Sequence, residues 1–219
     1  MMTLKPQSTA GMLAGSLRKM INNGSLPDGS RLVERDLASQ FAVSRVPMRE
    51  AIRLLEQEGM VDIFRNRGAV VRALSVEDIA EIYELRALLE GEAIFNSVQN
   101  MDAETLARAE LTHTLLGNAE DADRQGEHNR EFHGLLYRGC QNKRLLAMID
   151  ELRNQIERYE HFQRRLLSDT QAFQHEHELI LNACREGNAE AARQETFRHI
   201  ESAGRVLKEF IRKGISAQK

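Results

Sequence analysis

The chain has 219 residues, of which 42% are hydrophobic and 29% are charged, and its formal net charge is −3. This composition is that of a soluble globular protein and excludes an intrinsically disordered one. No apolar run approaches the roughly 20 residues that a membrane span needs, and the N-terminus has no apolar stretch typical of a secretory signal. Two cysteines are too few for a disulfide framework, so we expect a cytoplasmic protein without a membrane partner.

Charges, prolines and histidines are unevenly distributed, which indicates two domains. Residues 1–73 contain 11 Lys and Arg against 7 Asp and Glu, whereas residues 74–219 contain 19 against 26, so the net charges are +4 and −7. All three prolines lie within the first 47 residues, and all seven histidines lie in the second part. We therefore predict a flexible N-terminus at 1–8, a basic domain at 9–73 and an acidic domain at 74–219.

The basic domain begins with two predicted helices. Apolar residues recur at helical spacing over 9–21, and an Asn-Asn-Gly sequence ends the pattern. A second, short helix over about 34–41 is predicted to bury Leu37, Ala38 and Phe41. A tight connection then leads into a third helix.

The third helix carries a basic stripe. It is predicted to begin after Ser44, a residue type preferred at the N-cap, and to end before Gly59. Arg45, Arg49 and Arg53 are spaced by four residues, so they share one face of this helix.

After Gly59 the apolar period changes from 3.6 to 2, which predicts two short strands at 61–63 and 69–71. They flank a basic hairpin tip that contains Arg67 and Gly68. Helix, short helix, tight turn, helix and hairpin is the order of a winged helix-turn-helix. Its third helix fits the major groove of double-stranded DNA, where arginine reaches guanine edges, and a basic wing contacts phosphates or the minor groove.

Two simpler interpretations of these arginines stay open. Any one of them alone is typical of a solvated helix face, and some winged helices bind proteins instead of DNA. Four arginines in the appropriate elements of a net basic domain favour DNA. These are Arg35, Arg45, Arg49 and Arg67.

Two stretches then identify a family. The sequence GSRLVERDLA at 29–38, followed by VSRVPMREAIRLLEQEGMV at 43–61, resembles the DNA-binding domain of GntR-family bacterial transcription regulators. The resemblance implies that Arg35, Arg45 and Arg49 contact operator DNA and that the wing around Gly68 reaches the neighbouring groove. We include Ser44 and Arg67 in the predicted DNA-binding set.

The second domain is predicted to be an all-α bundle of six helices. No strand pattern, repeat or low-complexity segment interrupts the helical periodicity after residue 75. The predicted helices cover 76–99, 102–118, 126–139, 142–167, 170–186 and 188–213.

Three histidines and one asparagine are placed to converge inside this bundle. Asn129 and His133 are four residues apart and share one helix face. His177 and His199 lie ten residues before and eleven after the Gly-Asn turn at 187–188, so an antiparallel hairpin brings them level. Three imidazoles and a side-chain oxygen suit zinc, nickel, iron or copper, with an open position for a ligand carboxylate.

The other interpretation is that these histidines have structural roles. Histidines on helices are commonly surface residues or hydrogen-bonded core residues, and His175 replaces His177 in the cluster if the helix phase differs. Neither a zinc-protease motif nor a phosphate-binding loop occurs, and Cys140 and Cys184 have the context of buried small residues rather than nucleophiles. The histidines expected in the structural class are His113, His128, His161 and His175.

Four segments of this domain resemble the FCD effector domain of the FadR subfamily, in its shorter VanR-like branch. They are ELRALLE at 84–90, NREFH at 129–133, EHELI at 176–180 and RHI at 198–200.

The resemblance implies a metal-ligand set at Asn129, His133, His177 and His199, which also contact the effector. It implies in addition that Arg86 faces an effector carboxylate. Asn129 stands where the family has an aspartate, so the chain offers a neutral oxygen that favours a divalent cation less.

Helical spacing further predicts an ion pair between Arg86 and Glu90, of the kind that contributes only a few tenths of a kcal/mol. On that basis an Arg86→Met variant is expected to lose the effector response and keep its stability.

Together these features predict a mainly α protein that acts as a ligand-responsive transcription repressor. A homodimer matches a palindromic operator by symmetry, and a small carboxylate bound in the helical domain changes operator affinity. The alternative is a metal-dependent enzyme with a winged-helix appendage, for which the sequence offers neither a general base nor a nucleophile.

Overall fold

The computed structural model describes residues 8–64, 68–166 and 171–216 and divides the chain into two compact units, Met1–Leu74 and Ser75–Lys219. Residues 1–7 of the predicted flexible N-terminus and the wing-tip residue Arg67 lie outside the described residues. Among the described residues, the structure contains no helix that is both long enough and apolar enough to cross a membrane.

Within its described residues, the first unit contains three helices whose apolar faces enclose one small core. Leu17, Met48 and Leu55 are completely buried in it. Phe41 was predicted to be buried as well, but it is only half-buried, because the second helix ends one residue earlier and Phe41 is its C-cap. The helices are α1 (Thr9–Asn22), α2 (Glu34–Gln40) and α3 (Arg45–Gln57).

A three-stranded antiparallel sheet completes this unit, one strand more than the sequence predicts. The additional strand β1 has only two residues, too few to show an alternating pattern, and it pairs with β3 through Leu32 and Ala69. Gly68 begins β3 with a φ of 81°, a left-handed conformation that favours glycine. The strands are β1 (Arg31–Leu32), β2 (Val61–Phe64) and β3 (Gly68–Val71), and their order in the sheet is β1-β3-β2.

In the residues from 75 onward that the structure describes, all regular secondary structure is helical, which confirms the predicted bundle. Two of the predicted helices differ in their bounds by three residues or more. The helix predicted over 126–139 spans Ala122–Leu136, and it begins earlier because Asp121 caps it by accepting a hydrogen bond from the Arg124 amide. The helix predicted over 188–213 continues to Ser216. The six helices are α4 (Val76–Val98), α5 (Ala103–Gly117), α6 (Ala122–Leu136), α7 (Lys143–Leu166), α8 (Gln171–Arg185) and α9 (Ala189–Ser216).

Close packing of α4 against α9 brings their side chains to one cavity. Gly204 on α9 makes this approach possible, since a Cβ atom there would lie 2.8 Å from the Tyr83 side chain on α4. Gly187, with a φ of 63°, turns the chain between α8 and α9, which then pack against each other. The long helix α4 begins with a capping box formed by Ser75 and Asp78.

Candidate functional site

The structure brings together the three histidines that the helical spacing placed level with one another. His177 on α8 and His199 on α9 approach through their Nε2 atoms, which are 3.2 Å apart. His133 on α6 completes the group, and one ring nitrogen from each residue lies within 4.8 Å of the others. All three side chains are buried. We call these three residues the histidine cluster.

Hydrogen bonds on the outer side of the cluster orient two of its rings. The His199 Nδ1 atom donates to the Glu176 carboxylate at 2.8 Å, and the opposite ring nitrogen, Nε2, faces His177. The His133 Nδ1 atom lies 3.0 Å from the hydroxyl of Tyr137. His177 Nδ1 has no hydrogen-bond partner among the described residues.

Burial keeps two of the imidazoles uncharged. It lowers the pKa values of His133 and His177 well below the ordinary 6.5, because a charged ring loses its hydration inside the bundle. Neighbouring charges, Arg153 among them, lower both values further. The neutral ring is the form that binds a metal ion.

This donor set fits a divalent metal. Zinc–nitrogen bonds of about 2.0–2.1 Å place two imidazole nitrogens of one ion roughly 3–3.4 Å apart, which is the separation of the His177 and His199 atoms. His175 is exposed and therefore does not replace His177 in the cluster. His113 packs its ring against His177 and lies 3.2 Å from the Gln174 carbonyl oxygen, so it belongs to the hydrogen-bonded structural class.

A cavity of about 430 Å³ opens onto the histidine cluster. Its volume is in the range of small-molecule sites, and apolar residues such as Phe173 and Val206 form part of its wall. Asn129 and Arg86, which the sequence assigned to the same site, also line this cavity. The cavity wall therefore combines imidazole nitrogens that could bind a metal ion, a cationic side chain and an apolar surface.

Arg86 is more buried, and has more carboxylate partners, than the surface ion pair predicted from the sequence. Its Nε atom donates to Glu90 at 2.7 Å, as the spacing predicted, and its Nη1 atom donates to Glu160 on α7 at 3.0 Å. Arg86 is 3% exposed and Glu90 is 0% exposed. Burial by itself would lower the pKa of Arg86, but the two carboxylates raise it above its ordinary value. Arg86 is thus a permanent cation in a buried charge network.

Several residues of this network were not found by sequence reasoning. Glu160 lies 74 positions from Arg86, and no local pattern connects them. Tyr137 lies four residues after His133, a helical spacing that could have indicated their contact. Arg164 fits against α6 at Gly126, where a Cβ atom would lie 2.7 Å from its guanidinium group.

The charge network makes stability depend on pH through Glu160. Burial alone would raise the pKa of Glu160, but Arg86 and Arg164 lower it from 4.5 to about 2. A lowered pKa in the folded state contributes stability above pH 4.5 that is lost as the pH falls toward 2, here about 3 kcal/mol. Denaturant unfolding between pH 5 and pH 2.5 should therefore show a shallower pH dependence for Glu160→Gln than for the wild type.

The control for this prediction is Glu201→Gln, which neutralises an exposed carboxylate on the same unit. We expect its pH dependence to match the wild type. If the free energy of unfolding has the same pH dependence in Glu160→Gln as in the wild type, the prediction is contradicted.

In the first unit, Arg45 and Arg49 lie on the exposed side of α3 and share one partner. Their Nε atoms donate to the two carboxylate oxygens of Glu34, at 2.9 Å and 2.8 Å. The hydrogen bond from Arg49 lowers the pKa of Glu34. The side chains of Arg45 and Arg49 nevertheless remain 63% and 52% exposed. They are held in place and still accessible to a ligand.

The other predicted DNA-binding residues lie in or beside the helices and strands of the same unit. Ser44 is the N-cap residue of α3, but its side chain makes no capping hydrogen bond. Arg35 is 80% exposed and pairs with the adjacent Asp36. Gly68 begins β3, next to the wing tip.

Comparison with known proteins supports the same division of the chain. The model described as bacterial regulatory proteins, gntR family, matches residues 9–71, and the FCD domain matches residues 81–202. The chain is 32% identical to the HTH-type transcriptional regulator YdhC of Bacillus subtilis, over 90% of each chain. It is also 32% identical to the gluconate operon transcriptional repressor of Bacillus subtilis, over 71% of this chain and 65% of that protein.

The structure of Escherichia coli McbR/YncC has the same fold, with a TM-score of 0.82 at 22% identity over 93% of this chain and 99% of that one. The matching families and relatives are transcription regulators, which excludes the alternative of a metal-dependent enzyme. The chain belongs to the gntR family of bacterial transcription regulators, with an FCD effector domain after its winged helix-turn-helix.

Proposed function

We propose that this regulator is a repressor that releases its operator when a small organic acid binds the cavity of the helical unit. The observation that carries the proposal is the cavity itself, because it combines the histidine cluster, Arg86 and an apolar wall. A carboxylate suits the cationic and metal-binding part, and a short carbon chain suits the apolar part. The 32% identity with a protein named as a transcriptional repressor supports this sign of regulation.

In this proposal, the cavity of the helical unit binds a divalent metal such as zinc or nickel. His133, His177 and His199 would bind it through ring nitrogens, and Asn129 would add its side-chain oxygen. The bound ion would offer a coordination position to the effector carboxylate. Arg86 lies on the same cavity wall and, because Glu90 and Glu160 each accept only one of its N–H groups, it would donate a remaining N–H group to the effector carboxylate.

Operator recognition is proposed to use a homodimer on a palindromic site. Two copies related by a twofold axis place two α3 helices in successive major grooves of double-stranded DNA. Ser44, Arg45 and Arg49 are the proposed contacts of this helix, together with Arg35 and the wing residues Arg67 and Gly68. The effector acts by differential affinity for two states of the protein, one of which binds the operator more tightly.

The proposal is tested by measuring binding to the DNA upstream of the protein's own gene, with and without a panel of small carboxylates. We expect tight, salt-sensitive binding that at least one carboxylate weakens. The uncharged amide of the same compound is the matched control and should have no effect. Binding that no carboxylate weakens, with metal-loaded protein, would refute control by an organic acid.

Metal binding is expected to respond to two single substitutions. Asn129→Asp should tighten it, because the new ligand places a negative charge beside the cation. His177→Ala should weaken it, because one of the imidazole ligands is lost. The measurement is a titration with zinc or nickel of protein purified without an affinity tag, after removal of metal with a chelator.

His175→Ala is the matched control, since it removes an exposed imidazole from the same helix α8. Its metal affinity should equal that of the wild type. A wild type that binds neither ion, and an Asn129→Asp variant that behaves the same way, would mean that the histidines line an organic cavity only.

A further inference from the structure

A buried chain of hydrogen bonds connects Arg86 with the histidine cluster. Arg86 donates to one oxygen of Glu90, and the Tyr137 hydroxyl donates to the other oxygen at 2.7 Å. The same hydroxyl lies 3.0 Å from the Nδ1 atom of His133. Glu90 thus stands between the effector-facing arginine and the tyrosine that contacts a cluster histidine.

We propose that Tyr137 is a positioning residue that holds the proton of His133 on Nδ1 and so presents the unprotonated Nε2 atom to a metal ion. This inference rests on the proposed metal site and adds Tyr137, which contacts one of the proposed metal ligands, as a supporting residue. It assigns to Tyr137 a role that neither the spacing of the histidines nor the cavity lining indicates.

The direction of the hydrogen bonds carries the inference. An ionised carboxylate only accepts, so the single hydroxyl proton of Tyr137 points to Glu90. The phenol oxygen then has only lone pairs to offer to His133, and the contact requires a proton on His133 Nδ1. In a neutral imidazole the other nitrogen, Nε2, is consequently the acceptor.

Electrostatics keeps this arrangement in one protonation state. Burial alone would raise the pKa of Glu90, but Arg86 and Arg153 hold it below its ordinary value. Burial and the neighbouring Glu90 carboxylate raise the pKa of the Tyr137 hydroxyl well above 10. The contacts of Glu90 with Arg86 at 2.7 Å and with Arg153 at 3.8 Å thus keep its carboxylate an acceptor for the Tyr137 hydroxyl.

Burial also limits the access of water, which could otherwise replace the Tyr137 hydroxyl as a hydrogen-bond partner of His133. Tyr137 is 3% exposed and His133 is 1% exposed, so bulk solvent has little access to their contact. His199 differs, because its own orienting carboxylate on Glu176 has a side chain that is 28% exposed. We therefore expect that loss of the Tyr137 hydroxyl leaves His133 Nδ1 without an equivalent hydrogen-bond partner.

The test is Tyr137→Phe, which deletes one oxygen and keeps the ring. The first readout is the tautomer of His133 in metal-free protein, from the 15N chemical shifts of its imidazole nitrogens. We expect the Nδ1-protonated form in the wild type and a mixture of both tautomers in the variant. The second readout is zinc or nickel affinity, which should fall roughly 10- to 100-fold, the usual effect of losing such a partner.

Tyr159→Phe is the matched control. It deletes the same oxygen from a tyrosine on α7 whose hydroxyl accepts from Arg158 and whose side chain does not line the cavity. Both the His133 tautomer and the metal affinity should equal those of the wild type.

The outcomes separate this inference from the proposed function. A wild type that binds no metal refutes the proposed metal site, whereas the tautomer spectrum still tests the hydrogen-bond chain. A wild-type His133 protonated on Nε2 overturns the inference even if the variant fails to fold. An unchanged tautomer and unchanged metal affinity in folded Tyr137→Phe overturn it as well.

Discussion

Replacing Arg86 with methionine is expected to lower the free energy of unfolding of the helical unit by about 3–5 kcal/mol. The reason is the pair of carboxylates that this arginine neutralises. Glu90 is completely buried and the Glu160 side chain is 17% exposed, so neither regains full hydration when the cation is removed. Arg153, 3.8 Å from Glu90, and Arg164, 3.5 Å from Glu160, would compensate these two charges only in part. Removing one partner of a buried ion pair costs far more than the pair contributes when intact.

Urea unfolding of the wild type and the variant measures this effect. The control is Arg198→Met, which removes a 67% exposed arginine from an ion pair with Glu195 on α9. We expect that control to change stability by less than about 1 kcal/mol. Adding Glu90→Gln to Arg86→Met should recover part of the loss, because one of the unpaired charges is then absent. A loss below about 1 kcal/mol in Arg86→Met would show that the network is not stabilising.

This expectation replaces the one drawn from the sequence, in which Arg86→Met keeps its stability. The difference arises because the sequence shows Glu90 four residues away but shows neither the burial of the pair nor Glu160. It also changes how the effector hypothesis should be tested. A lost effector response in Arg86→Met is informative only if the variant is shown to be folded at the assay temperature.

The helices and the pairing of His177 with His199 could both be predicted from the sequence, because both follow from the geometry of the α-helix. An α-helix places residues three and four positions apart on one face, and a tight turn between antiparallel helices brings equidistant residues level. Those two rules were sufficient to place His177 and His199 together, and the structure puts their Nε2 atoms 3.2 Å apart.

The contacts that sequence reasoning did not find depend on packing between distant segments. Glu160 reaches Arg86 only because α7 packs against α4, and no spacing rule encodes that pairing. Strand β1 was not predicted because two residues show no period; it exists through its partner β3. The early start of α6 was a different kind of error, since Asp121 is an ordinary N-cap whose signal was present in the sequence.

The double variant Arg45→Ala/Arg49→Ala is expected to abolish specific operator binding. Each arginine that reads a guanine edge contributes roughly 5- to 150-fold in affinity, so loss of both should reduce binding to the level of unrelated DNA. Stability should change little, because both arginine side chains are more than half exposed and truncating them opens the Glu34 carboxylate, which is 21% exposed beneath them, to water. Arg67→Ala, if the wing meets only the backbone, should weaken binding evenly across sequences.

Binding to operator and scrambled duplexes over a range of salt concentrations separates these effects. Arg53→Ala is the control on the same helix, one turn beyond Arg49, and it removes one positive charge where the double variant removes two. It should shift affinity for both duplexes by a similar factor, because it changes the phosphate contribution without changing base readout. A folded double variant that still prefers the operator would show that α3 is not the helix in the major groove. The Glu34 bridge would then be a surface ion-pair network without a role in recognition.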